Sequence, residues 1–125
     1  MGGRPKHRQL QSREDFERAL QEEISVSNQF DLPLCVLVAV MEGGWDPESE
    51  GRAVGALRLA DLVSRTDGPD LIVVLSNTAL ENARAVERRL RQILPEVGIG
   101  ISELTPGDTA QRLVERARQA ALRNL

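Results

Sequence analysis

RLADLVSRTDGPDLIVVL, residues 58–75, joins an Arg-x-x-Asp pair to a tight turn and then to an apolar strand. Asp67-Gly68, set between Leu62-Val63 and the run Leu71 to Leu75, is the strongest short-range hairpin signal in the chain, because glycine supplies the positive φ that such a turn needs. Two strands are expected, at about residues 61–66 and 70–76. Arg58, Asp61 and Arg65 lie just before or along the first of them.

Beyond the hairpin, Thr78-Ala79-Leu80-Glu81 reads as a capping box, and Leu80, Ala83, Val86, Leu90 and Ile93 keep helical spacing until Pro95. Val97 to Ser102 is a further strand. After the Pro106-Gly107 turn, Asp108 is expected to cap a last helix, with Gln111 at its third position and Leu113, Val114, Ala117 and Ala121 as the buried stripe.

On the N-terminal side, Arg52 to Leu59 has room only for a short helix, and Glu42 to Gly51 reads as a loop. Leu34 to Val40 is a continuous apolar run rich in β-branched residues, the mark of a strand covered on both faces. A first helix is expected from Ser12, with Asp15 in a capping-box-like position and Phe16, Ala19, Leu20 and Ile24 on one face. Residues 1–12 are polar, with Gly, Pro and scattered positive charge, and read as a tail or linker to a single domain over 13–125.

This order contains a β-α-β-β-α-β core, the ferredoxin-like or palm arrangement. The fold class is α+β, a two-layer α/β core with flanking helices and a central antiparallel hairpin.

The size fits one domain: 125 residues, 41% of them apolar. A formal net charge of −3 gives no chain-wide basic field, so nothing suggests a nucleic-acid partner. The single cysteine, Cys35, sits inside the apolar run and reads as a buried structural thiol. No apolar stretch approaches the roughly 20 residues of a spanning helix, and no signal-peptide core is visible, so a cytoplasmic domain without direct membrane contact is expected. Ser64, Ser76 and Ser102 lack a nearby histidine base, since the sole histidine, His7, is in the tail. Glu42, Asp46, Glu48 and Glu50 around Gly43-Gly44-Trp45 read as a solvated acidic loop, with Trp45 folded onto the surface, rather than as a metal cluster.

At the hairpin the chain resembles the GGDEF family, the diguanylate cyclases. In that family the signature sits on the turn of such a hairpin, with an RxxD motif upstream. Here the signature positions read Asp67-Gly68-Pro69-Asp70-Leu71, and Arg58-Leu59-Ala60-Asp61 falls at the family spacing. The resemblance runs on through IVVLSNT, VGIGIS and PGDTAQRLVERARQAAL and covers most of residues 13–125. It implies a bacterial signalling domain, with the signature hairpin within the sheet and helices packed against it.

The resemblance also implies that catalysis is lost. Joining two GTP molecules is phosphoryl transfer, in which metal ions held by carboxylates neutralise the phosphates. The family places one metal-binding Asp at the end of the first strand and another acid at the third signature position; the matching places here are Ala39 or a neighbour within Val38 to Met41, and Pro69. Asp70 keeps an acid at the fourth position, but a lone carboxylate makes a weak magnesium site. The segment carrying the family's guanine-recognising Asn and Asp is shortened, and the phosphate-contacting lysine aligns with Leu125. No enzyme activity, metal or cofactor is expected.

Arginine holds the O6 and N7 edge of guanine, or a phosphate, with its planar fork, while a carboxylate accepts from guanine N1–H and the exocyclic amine. In the family, RxxD forms the inhibitory I-site for cyclic di-GMP. Arg58 and Asp61 match its two positions, Arg89 matches its secondary arginine, and Arg65 is a candidate further phosphate contact. The expected function is therefore a cyclic di-GMP receptor, in which Arg58→Ala or Asp61→Ala abolishes binding with little change in stability. On the plainer reading, the pair is a surface ion pair worth about 1 kcal/mol or less, and the domain is a protein-interaction or homodimerisation module without nucleotide. Arg84, Arg88 and Arg91 read as a solvated helix face.

Overall fold

Leu34–Val40 forms strand β1, and every one of its residues is buried. Such a run needs cover on both faces, and the computed structural model of the protein, which describes residues 12–58, 61–65 and 68–125, supplies it. β2 (Leu62–Arg65), β3 (Asp70–Ser76) and β4 (Gly98–Glu103) complete a sheet of order β2-β3-β1-β4, antiparallel at each pairing. The hairpin thus has one strand inside the sheet and one at its edge.

Helices α2 (Pro47–Gly55) and α3 (Leu80–Ile93) are the two crossovers of the βαββαβ core. They cover the face that carries Cys35, Leu37, Ala39, Val63 and Val73, and Ala53, Ala83 and Leu90 belong to the same apolar cluster. The flanking helices α1 (Arg13–Phe30) and α4 (Ala110–Arg123) add a third layer on the opposite face. There Phe16, Leu20, Leu113 and Ala117 meet Val36, Val38 and Val74. α4 lies close to β4: a Cβ on Gly100 would fall 2.1 Å from the Ala117 carbonyl oxygen.

The helix starts divide sharply. Ser12 caps α1 as expected, accepting from the Asp15 N–H at 3.2 Å. α2 begins well before the expected Arg52, because Asp46 accepts from the Ser49 N–H at 2.7 Å and Pro47 opens the first turn, so residues read as loop are helical.

The expected capping box of α3 does not form. Ala79 is its N-cap, without a side-chain bond, and Glu103 of β4 instead accepts from the Leu80 N–H at 3.2 Å. Thr78 is diverted because its hydroxyl donates to the Ser76 carbonyl oxygen at 2.7 Å. In α4 the cap is Thr109, which accepts from the Arg112 N–H. Asp108 binds Arg116 and the preceding Thr105 instead.

The hairpin register differs by one residue from that of a two-residue Asp67-Gly68 turn. Such a turn sets Arg65 opposite Asp70, whereas Arg65 pairs with Leu71, and Asp70 pairs with Val40 of β1. Pro69 donates no backbone hydrogen bond, which favours an odd-numbered loop. A shift of one residue exchanges the two faces of a strand, and the observed register sends Val63 and Val73 to the same core.

Candidate functional site

The first candidate region is the corner where α2 runs into β2. The peptide N–H of Arg58 donates to Asp61 Oδ2 at 2.9 Å, and its guanidinium Nη2 donates to Oδ1 of the same carboxylate at 2.9 Å. The same Nη2 reaches Thr78 Oγ1 at 2.8 Å. Asp61 is only 1% exposed, whereas the Arg58 side chain is 51% exposed. The pair is therefore an arginine held in one plane at the surface by a carboxylate buried behind it.

That burial corrects one expectation. Removing Asp61 deletes a buried acceptor of several hydrogen bonds, so the substitution cannot be neutral for stability.

Arg89 of α3 joins this corner, donating from Nη1 to the Ala56 carbonyl oxygen at 2.8 Å. Ser76, read from the sequence only as a serine without a histidine base, ties the corner to α1: its hydroxyl donates to Glu23 Oε1 at 2.9 Å. Arg65 lies at the other end of β2. Its Nε is 3.4 Å from Glu50 Oε1, and its Nη1 donates to the Trp45 carbonyl oxygen. The structure pairs Arg58 with Asp61, sets Arg89 on the Ala56 carbonyl two residues before Arg58, and places Arg65 at the other end of β2.

The second region is the hairpin tip beside the end of β1. Thr66 and Asp67 lie outside the described residues, as do Leu59 and Ala60. The Pro69 carbonyl oxygen accepts from the Met41 N–H at 3.0 Å and from Trp45 Nε1 at 2.8 Å. Trp45 is buried rather than folded onto the surface, because this bond satisfies its one polar atom inside the core. Asp70 is buried, and its Oδ2 accepts from Arg118 Nε of α4 at 2.7 Å, a bond that raises the arginine's pKa. Gly68 and Pro69 are exposed, and Leu71 is fully buried.

A divalent cation does not fit these residues. Ala39, Val40 and Met41 are buried and apolar, Pro69 has no side-chain donor, and Asp70 is bound to Arg118. Among the described residues no group of three or more His, Cys, Asp or Glu side chains is placed to hold a metal. Of the acidic loop, Asp46 is a helix cap, with its carboxyl lowered first by the Ser49 N–H, and Glu48 and Glu50 pair with Arg52 and Arg65. Burial, with the charge of Glu103 added, pushes the Cys35 thiol up to about 12, which suits a structural thiol. Among the described residues no helix is long and apolar enough to cross a membrane.

No protein-family description and no curated protein matches the sequence. Solved structures do match it. The active GGEEF domain of a diguanylate cyclase from Vibrio cholerae is 18% identical, with a TM-score of 0.78 over 92% of this chain and 90% of that one. The GGDEF domain of DgcB from Caulobacter crescentus, solved in complex with c-di-GMP, is 15% identical with a TM-score of 0.79, over 98% and 92%. The diguanylate cyclase SiaD from Pseudomonas aeruginosa, solved with its activator SiaC, is 22% identical with a TM-score of 0.73, over 92% of this chain and 55% of that one. Each of these likenesses takes in most of the present sheet and its helices, and the chain has the fold of the GGDEF domain.

Proposed function

We propose that this chain is a non-catalytic signalling domain on the GGDEF scaffold, whose Arg58–Asp61 corner receives cyclic di-GMP. The observation that carries the first half is the closure of the hairpin tip. Where a cyclase needs carboxylates for its metal ions, the Pro69 carbonyl oxygen is bound by both Met41 and Trp45, and the end of β1 is apolar.

The receptor half rests on the corner. Asp61 and Thr78 fix the plane of a half-exposed guanidinium, and Arg89 binds the Ala56 carbonyl two residues before Arg58. With its Nε and Nη2 held by Asp61 and Thr78, Arg58 presents a fixed, planar cation to a guanine edge or a phosphate, and Asp61 acts through it as a positioning residue. The cyclic di-GMP complex among the structural neighbours supports the choice of ligand.

The test pairs a cyclase assay with a titration. With GTP and magnesium or manganese, no cyclic di-GMP should form; product would overturn the first half. Calorimetric titration of cyclic di-GMP should give heat that Arg58→Ala removes, and absence of heat with the wild type would overturn the second.

Protein docking is the second reading, favoured by Val26, Phe30 and Leu32, which are large apolar residues left exposed at the end of α1. Under this reading two chains associate through that patch. Sedimentation should then show a dimer that Phe30→Asp disperses, with or without nucleotide.

A further inference from the structure

Selecting guanine by hydrogen bonds takes an arginine with two N–H donors turned toward O6 and N7, or a carboxylate open to N1–H and the exocyclic amine. Adenine carries an amine in place of O6 and has no N1–H, so these contacts tell the two purines apart. N7 is an acceptor in both and carries no such information.

The Arg58 corner turns both groups inward. Asp61 is 1% exposed, and both its oxygens accept from Arg58: Oδ2 from the peptide N–H at 2.9 Å and from Nε at 3.4 Å, Oδ1 from Nη2 at 2.9 Å. A base edge does not reach that carboxylate. Nη2 donates a second time, to the buried Thr78 Oγ1 at 2.8 Å. A guanidinium pairs bidentately through Nε with Nη2 or through Nη1 with Nη2, and both ways need a hydrogen of Nη2. Asp61 and Thr78 take the two that it has.

We infer that the corner takes a purine base on the flat face of the Arg58 guanidinium, with no more than one hydrogen bond to its edge. The ligand class is then cyclic dinucleotides of either purine, without selection of guanine over adenine. The inference rests on the reading of the corner as a nucleotide receptor and widens the ligands it admits. The half-exposed side chain, with its plane fixed by Asp61 and Thr78, offers a planar cation that stacks on any base, since every base has a π-face. Asp61 and Thr78 serve this contact as positioning residues, by keeping the plane in place.

The test is calorimetric titration of cyclic di-GMP and of cyclic di-AMP into the full chain, at one salt concentration, with Arg58→Ala alongside. The two dissociation constants should agree within about threefold, and Arg58→Ala should lose both ligands. A larger preference for either purine overturns the inference, while the receptor reading stands or falls on the heat of cyclic di-GMP alone. Heat with neither ligand overturns both, and binding that survives Arg58→Ala overturns the stacking. In solution NMR of the wild-type complexes the Arg58 side-chain protons should move upfield, as protons above a purine ring do. No shift, or a downfield one, would place the base edge-on and overturn the inference.

Discussion

Trp45 Nε1 donates to the carbonyl oxygen of Pro69 across 2.8 Å, joining residues that lie 24 positions apart. The indole packs in the core with Met41 and Leu71, so this bond anchors the hairpin tip from inside the protein. Trp45→Ala should cost about 3–5 kcal/mol in urea unfolding followed by circular dichroism. Trp45→Phe keeps most of the packing and loses the bond, so about 1 kcal/mol is expected. Equal stability of Trp45→Ala and the wild type would show that the tip does not depend on the indole.

Asp61 presents the opposite case, a buried carboxylate whose partners include a half-exposed arginine. Asp61→Ala should lower stability by about 1–3 kcal/mol, because the Arg58 N–H and guanidinium lose their acceptor. Thermal unfolding of the variant in the absence of nucleotide measures this. Cyclic di-GMP affinity should fall in Asp61→Ala because Arg58 is no longer held, and Arg58→Lys should not restore it, since an ammonium lacks the planar fork.

Gly100 is required for a close approach rather than for a turn. A Cβ there would meet the Ala117 carbonyl oxygen at 2.1 Å, the Ala121 nitrogen at 2.3 Å and the Ala120 Cβ at 2.7 Å. Most of that obstruction is backbone, which cannot swing aside. Gly100→Ala should therefore destabilise by about 3 kcal/mol or more and speed amide exchange in α4 before α3.

The Arg116 side chain, with help from Thr105, outweighs desolvation and holds the Asp108 carboxyl well below its ordinary 3.8. A carboxyl depressed in the folded state contributes stability above its unfolded value, and that contribution is lost as pH falls toward the folded one. Wild type should exceed Asp108→Asn by a constant margin above about pH 5, with the gap narrowing below about pH 4. Urea titrations across that range check the sign; a gap that widens in acid would contradict the assignment.

Cys35, with its thiol near 12 and no exposed surface, should resist aromatic disulfide reagents at neutral pH and react only after unfolding. Labelling of the native protein at the rate of a free thiol would show that β1 opens.

The order of elements, the double-sided burial of Leu34–Val40, the Ser12 cap and the apolar stripes of α3 and α4 were all legible in the sequence. Each depends on neighbours within a turn or two, and local spacing carries that information. The start of α2 was missed because Gly43, Gly44, Gly51 and the acids disguised an Asp-Pro cap.

At the candidate site, the sequence singled out Arg58, Asp61 and Arg89; in the structure Arg58 is paired with Asp61, and Arg89 binds the Ala56 carbonyl. It held no sign that Asp61 lies buried behind Arg58, that Ser76 ties the corner to Glu23, or that Arg118 claims Asp70. Nor did it reveal the one-residue register of the hairpin or the buried seat of Trp45. These features are partnerships between distant segments: 53 positions separate Ser76 from Glu23, and 48 separate Arg118 from Asp70. Local propensity decides which element a residue joins, whereas the partner of a buried polar group is chosen only when packed layers bring remote donors and acceptors within about 3 Å.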